Sequence, residues 1–422
     1  MKKLTILRFW LSVVVLLVWA TLSLAQNQPV ANKPSLKLTL VQDADGVFVT
    51  SADAVSEFVF EAFLLSGQRA FANTPTNGNS LKLRLQNVEG KPLPDGQYLY
   101  VATIKVSPTA MVKYFGKLTL QSGQAEMQDS SEVLGSYERH YFAQRNLSFA
   151  PDAKQEEIDQ EFRLFQTKAD EAVALFDLAV KLIPNSAEAL LGQGFAVAAT
   201  AGLTVSQMTD VIEPQTPLPP PPPAPVGIAG KRATPPAARE PNINREGLLR
   251  AIDAFKQGIL VIDCESRSEA MLFLSAIYSK LNDMDQARDW RLKSVEMNCA
   301  TSITRSMAYY SLAVENWRCA NAITESYTDQ KHARLDLWYP RQITSPTDRE
   351  KLNTCLAQGL EYIEKALFDA PDNSKAVFYQ SLLYLEKQKT AKLKAERLQY
   401  AALAEKAAQR AMELFERERQ KP

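Results

Sequence analysis

The spacing of apolar residues changes once along the chain, and the change predicts two kinds of structure. Between residues 36 and 125 the spacing is two. Leu36, Leu38 and Leu40 alternate with Lys37 and Thr39, and Leu81, Leu83 and Leu85 alternate with Lys82, Arg84 and Gln86. Alternation of this kind sets the leucines on one face of a strand and the polar side chains on the other. Residues 47–50, 58–65, 98–106 and 112–120 read as further strands, separated by the turn signals Asp45-Gly46, Ser66-Gly67, Asn77-Gly78 and Asp95-Gly96. Six or seven short strands over this length predict an antiparallel sandwich. Residues 126–154 lose the two-residue period and read as a connector with room for a short helix. From 155 to 420 the period is helical, and the helices recur.

Each region also carries a resemblance. Phe60-Glu61-Ala62-Phe63-Leu64-Leu65-Ser66-Gly67-Gln68-Arg69-Ala70-Phe71 and Leu93-Pro94-Asp95-Gly96-Gln97-Tyr98-Leu99-Tyr100-Val101 resemble paired strands of bacterial Ig-like domains, of the type found in flagellar hook-capping proteins. In the second region, Ala172, Phe176, Ala179 and Pro184 are spaced as in the second helix of a tetratricopeptide repeat, and Gly194 falls at the small position of the next first helix. Leu274, Ser275 and Tyr278 match a first helix; Ala287, Ser294 and Cys299 match its partner. Gly359, Ile363, Ala366 and Pro371 close another unit. The fold class expected is therefore an N-terminal Ig-like β-sandwich followed by an all-α tetratricopeptide-type array. Such hairpins bury their apolar faces by stacking. The resemblance implies a surface that holds a protein or peptide, and the charged stretch from Ala391 to Arg419 is expected to cap the stack.

Two inserts interrupt the array. Eleven of the 23 prolines fall between Pro214 and Pro241, within an insert at 211–244. Proline fixes φ and lacks a backbone donor, so this segment reads as extended polyproline, either a spacer or a docking arm. The second insert, 325–349, holds Trp338-Tyr339-Pro340. An exposed Trp338–Tyr339 pair would anchor a partner; a packed pair would only pin the loop.

The amino terminus reads as an export signal over residues 1–25. Lys2, Lys3 and Arg8 accompany an uncharged apolar run from 9 to 22, and Ser23-Leu24-Ala25 precedes Gln26. Cleavage after Ala25, ahead of a polar spacer at 26–35, predicts a periplasmic or secreted protein; an uncleaved segment would instead tether it to the membrane. The chain has 48 basic and 48 acidic residues, and removing the signal leaves 45 basic against 48 acidic. That balance provides no footprint for nucleic acid.

All four cysteines, Cys264, Cys299, Cys319 and Cys355, lie in the helical region. Export favours disulfides over reduced, buried thiols. Cys319 with Cys355 is the better pair, closing the second insert; Cys264 with Cys299 is weaker, since one repeat of separation threatens the Cα distance a disulfide needs. No C-x-x-C, H-E-x-x-H, G-x-x-x-x-G-K or G-x-S-x-G sequence occurs, and there are two histidines, His140 and His332. No catalytic, metal or cofactor-binding residue is therefore assigned. The expectation is an exported, non-enzymatic scaffold. A structural envelope protein using its Ig-like module is the alternative, and a wall-polymer hydrolase a third.

Overall fold

A computed structural model of the chain describes residues 38–43, 46–51, 57–73, 76–78, 80–83, 85–87, 89–107, 110–150, 153–205, 207–208, 242–327 and 343–420. The expected export signal and spacer, nearly all of the proline-rich insert, and Trp338 and Tyr339 lie outside these residues. Two compact units divide at Met127 and Gln128, the first holding the strands and the second the helices.

Eight strands form the first unit: β1 (Leu38–Asp43), β2 (Gly46–Ser51), β3 (Glu57–Leu64), β4 (Arg69–Ala72), β5 (Ser80–Leu83), β6 (Gly96–Ser107), β7 (Ala110–Gln121) and β8 (Gln124–Asp129). They make two antiparallel sheets, β1-β2-β5 and β4-β3-β6-β7-β8. The two-residue period is what allows this. Val47 and Val49, Phe58, Phe60 and Ala62, Leu81 and Leu83, and Tyr98, Tyr100, Ala102 and Ile104 all enter one apolar cluster shared by both sheets. Phe60 stacks on Tyr100 at 5.3 Å. Both tyrosines at the start of β6 are therefore core residues. The Tyr98 hydroxyl donates to the carbonyl of Pro94 at 2.6 Å.

Strand β8 was not legible as a strand beforehand. Its turn is the pair Ser122-Gly123, with φ of 51° and 79°, the signs that a two-residue type I′ hairpin requires. Asp95 holds that turn by accepting from the Ser122 amide at 2.9 Å. The side chain of Gln42 then ties β1 to β8, donating to Gly123 O and accepting from Ala125 N.

In the second unit the described residues form ten helices: α1 (Ser130–Phe149), α2 (Gln155–Leu182), α3 (Ala187–Thr200), α4 (Arg245–Val261), α5 (Cys264–Lys280), α6 (Met284–Glu296), α7 (Ser302–Ser326), α8 (Pro346–Asp369), α9 (Ser374–Thr390) and α10 (Lys394–Arg419). The expected connector at 126–154 thus contains a twenty-residue helix, α1, which packs on α2. Its buried Val133, Tyr137, Tyr141 and Gln144 follow a helical period, but charged neighbours obscure it in the sequence.

Helices pack as successive hairpins, α1/α2 to α9/α10, and each hairpin contacts the next. Polar caps fix where they begin: Ser186, Asn244, Asp263, Asp283, Thr301, Ser345 and Asn373 each accept from an amide of the first turn. First helices sit between neighbours and are buried nearly all round, as in the runs Leu274–Tyr278 and Tyr310–Val314. Second helices bury one stripe, as α4 does with Leu248, Ala251, Ile252, Phe255 and Ile259. The molecule is a β-sandwich followed by a helical-repeat array of the tetratricopeptide type. In α10 the stripe Ala407, Ala411 and Leu414 packs against Val377 and Phe378 of α9, while residues 392–399 are exposed.

Candidate binding face of the helical region

One register recurs in the second helices. Counting from a small residue, positions 0, +4, +7 and +12 are Ala172, Phe176, Ala179 and Pro184 in α2, Ala251, Phe255, Gly258 and Asp263 in α4, Ala287, Arg291, Ser294 and Cys299 in α6, and Gly359, Ile363, Ala366 and Pro371 in α8. The first three positions are buried in every case; Pro184 and Pro371 lie at the turns. Position +4 is the plug. A Cβ on Gly192 would collide with the ring of Phe176, and one on Gly194 would stand 2.7 Å from the ring of Phe255. Two glycines, not Gly194 alone, therefore let α3 approach its neighbours on both sides. Gly359 is confined in the same way by Leu383 and Asn316. In the first helix α5, Leu274, Ser275 and Tyr278 are buried.

Both cysteine pairs lie within hairpins. Cys264–Cys299 has a Cα–Cα separation of 5.9 Å and joins the start of α5 to the turn after α6. Cys319–Cys355, at 6.2 Å, crosses from α7 to α8. Both separations fit a disulfide, so the distance concern over the first pair does not arise. Antiparallel helices bring the two ends of a hairpin together, which sequence separation alone conceals.

The described residues contain a cleft of about 300 Å³ where α7 begins and α8 passes into α9. Ile303, Ser306 and Met307 form one wall; Asn373 and Lys375 face them, and Glu418 of α10 closes the end. Its polar groups are fixed by one another. Ser306 donates to Ala366 O at 2.9 Å and accepts from Asn373 Nδ2 at 3.1 Å. Ser374 donates to Glu418 at 3.0 Å. Beneath, Arg305 grips both carboxylate oxygens of Asp369 and donates to Ala300 O, and that hydrogen-bonded carboxylate raises its pKa. Large apolar side chains stand at this end of the hairpin in water: Ile303 is 69% exposed, and Phe368, beside Asp369, 87%. Neither residue was singled out in the sequence. The signal was there, since Phe368 lies two residues after Ala366, off the buried stripe.

The site has the makings of a binding surface, with fixed polar walls and apolar lips, and among the described residues no group of three or more His, Cys, Asp or Glu is placed to hold a metal. His140 is held by Glu161 at 2.7 Å. No described helix is long and apolar enough to cross a membrane.

No protein-family model matches the chain, and no curated protein does. Among solved structures it is similar to YrrB, described as a tetratricopeptide protein with an unusual peptide-binding site, at 13% identity and a TM-score of 0.30, covering 67% of this chain and 99% of that one. It is also similar to the human IFIT1 dimer with m7Gppp-AAAA, at 12% identity and a TM-score of 0.27, covering 65% of this chain and 55% of that one. A monomeric IFIT1 mutant with Gppp-AAAA gives 12% and 0.27, over 67% and 56%. The chain thus spans little more than half the length of the IFIT1 proteins.

Proposed function

We propose that the chain is an exported, non-enzymatic scaffold that holds a protein or peptide partner on its helical array. The observation carrying this reading is the cleft at the α7/α8 end, with the exposed Ile303 in its wall and Phe368 in solvent at the same end of the hairpin. Exposing such side chains costs solubility, and a partner that covers them recovers that cost as buried apolar area. The rigid stack on which they stand lowers the ordering cost of binding. Export is supported by the charged-then-apolar amino terminus and by two cysteine pairs at disulfide distance, since such pairs persist in oxidising compartments.

A second reading gives the β module, residues 36–125, a structural role in the envelope as an Ig-like domain. Its support is specific. Sheets β1-β2-β5 and β4-β3-β6-β7-β8 have, apart from the added edge strand β8, the interleaved strand order of an Ig-type sandwich whose fourth strand has changed sheets. The Tyr98–Pro94 hydrogen bond has the form of a tyrosine corner.

Cross-linking mass spectrometry in the native envelope tests the scaffold reading. Cross-links from Lys375 and its neighbours to one partner are expected in the parent chain and lost in Phe368→Asp and Ile303→Asp, whose exposed sites tolerate the charge. The same cross-links in both variants, or none to any macromolecule in the parent, would contradict it.

A further inference from the structure

The hairpins are not joined alike. Between α3/α4 and α5/α6 the contact is aromatic: Phe195 of α3, edge-on to Phe255 of its own hairpin at 4.9 Å, also lies edge-on to Phe273 of α5 at 5.1 Å. Between α7/α8 and α9/α10 it is aromatic again, with Tyr379 against Tyr310 at 5.6 Å and Trp317 at 5.3 Å. Between α5/α6 and α7/α8, no ring pair occurs among the described residues. Position +4 of α6, where the other second helices place Phe176, Phe255 and Ile363, is Arg291, a residue only 2% exposed. It pairs with Glu315 of α7 and donates to Ser279 of α5 at 2.9 Å. Burial, and secondarily the Arg318 cation, lower its pKa to about 10.

Two further features fall at the same place. The apolar cluster of α3–α6 reaches into α7 only through Met307 and Ala308, and the next cluster starts at Tyr309 and Tyr310. Buried polar atoms without a partner collect here: Trp290 Nε1, Arg291 Nε and Ser294 Oγ. A buried atom of that kind weakens the interface that holds it.

We propose that the array is hinged at the α6–α7 joint, two half-stacks turning about the Arg291–Glu315 pair. A stack of repeats is as strong as each nearest-neighbour interface, and an ionic plug with unmet hydrogen bonds holds less tightly than rings packed on glycine. Opening lets water reach Arg291 Nε and the Trp290 indole, so the open state recovers hydration that an apolar joint would not. Motion of this kind divides a molecule at an interface and leaves each body intact.

Pulsed dipolar spectroscopy on the full chain tests this, with spin labels on genetically encoded keto residues so that the cysteines are untouched. One label pair, at the exposed Glu269 and Glu364, spans the joint; another, at Glu246 and Glu269, lies within one half. The parent chain is expected to give two populations for the first pair and one for the second. Arg291→Met with Glu315→Leu, which replaces the ions by apolar side chains, should abolish the longer population. A single narrow distance across the joint in the parent would overturn the hinge, whether or not the double variant folds. So would a double variant that folds and keeps both populations.

Discussion

Phe255 and Arg291 occupy the same register in successive hairpins and do opposite things. Phe255 seats its ring against Gly194 and against the edge of Phe195, so that α3, α4 and α5 share one apolar cluster. Arg291 brings a charge into the same kind of site and must be answered by Glu315 and Ser279. The same position thus carries a ring packed inside its own hairpin at α4 and a charge answered from the next hairpin at α6. A buried ion pair repays its desolvation only when all its hydrogen bonds are met, and Arg291 Nε is not met.

The contrast is open to attack by substitution. The largest effect is expected at Phe255: cutting it to Ala should cost about 3–5 kcal/mol in denaturant unfolding, because Gly194 leaves a void that no neighbour fills. A cost near zero would mean that the ring is not the plug. Replacing Cys319 and Cys355 by Ser comes next. The loop-entropy model gives up to about 4 kcal/mol for a closure of this length, less any strain. Since the disulfide lies inside a hairpin, the loss should fall on the α7–α10 half and leave the α3–α6 transition in place. Hydrogen exchange resolves the two halves, and an equal loss in both would show that they are one cooperative body. Glu315→Gln should cost about 3 kcal/mol by leaving Arg291 buried without its counter-ion.

The smallest effect concerns a cap common to both kinds of joint. Asp263 caps α5 by accepting from the Ser266 amide at 3.0 Å. Burial alone would raise its pKa, but hydrogen bonds from Ser266 and nearby amides prevail and lower it. A lowered folded pKa contributes stability that is present above the unfolded value and is lost as pH falls through the folded one. Asp263→Ala should therefore cost about 1 kcal/mol at neutral pH, and its deficit should vanish below the folded pKa. A deficit independent of pH would point to lost packing instead.

How much of this was legible in the sequence follows from which signals are local. The leucine alternation at 81–85 and the glycine turns are local, and they mark the β region. The spacing of Ala172, Phe176 and Ala179 is also local, and it marks the repeats. Strand β8 escaped because only Ala125 and Met127 alternate in its six residues, although Ser122-Gly123 is the same turn signal as Ser66-Gly67. Helix α1 escaped because Tyr137 and Tyr141 sit among charges. At α6 the small residues Ala287 and Ser294 frame the register, yet the residue between them is an arginine, which sequence reasoning assigns to solvent; only its partner on α7, 24 residues away, makes burial tolerable. The cysteine pairs were readable as pairs, but the end-to-end geometry of a hairpin, which brings Cys264 within 5.9 Å of Cys299, is a property of the folded array.

The unequal joints can be measured with the chain's own fluorophores. Trp290 stands on α6 beside Arg291 at the ionic joint, so replacing Trp10, Trp19, Trp317 and Trp338 by Phe leaves one reporter, there alone. Under urea, its emission is expected to change at lower denaturant than the far-ultraviolet circular dichroism of the helices, because the joint parts before the half-stacks melt. Superimposable transitions would contradict the account, leaving the stack a single cooperative unit with Arg291 no weaker a plug than Phe255.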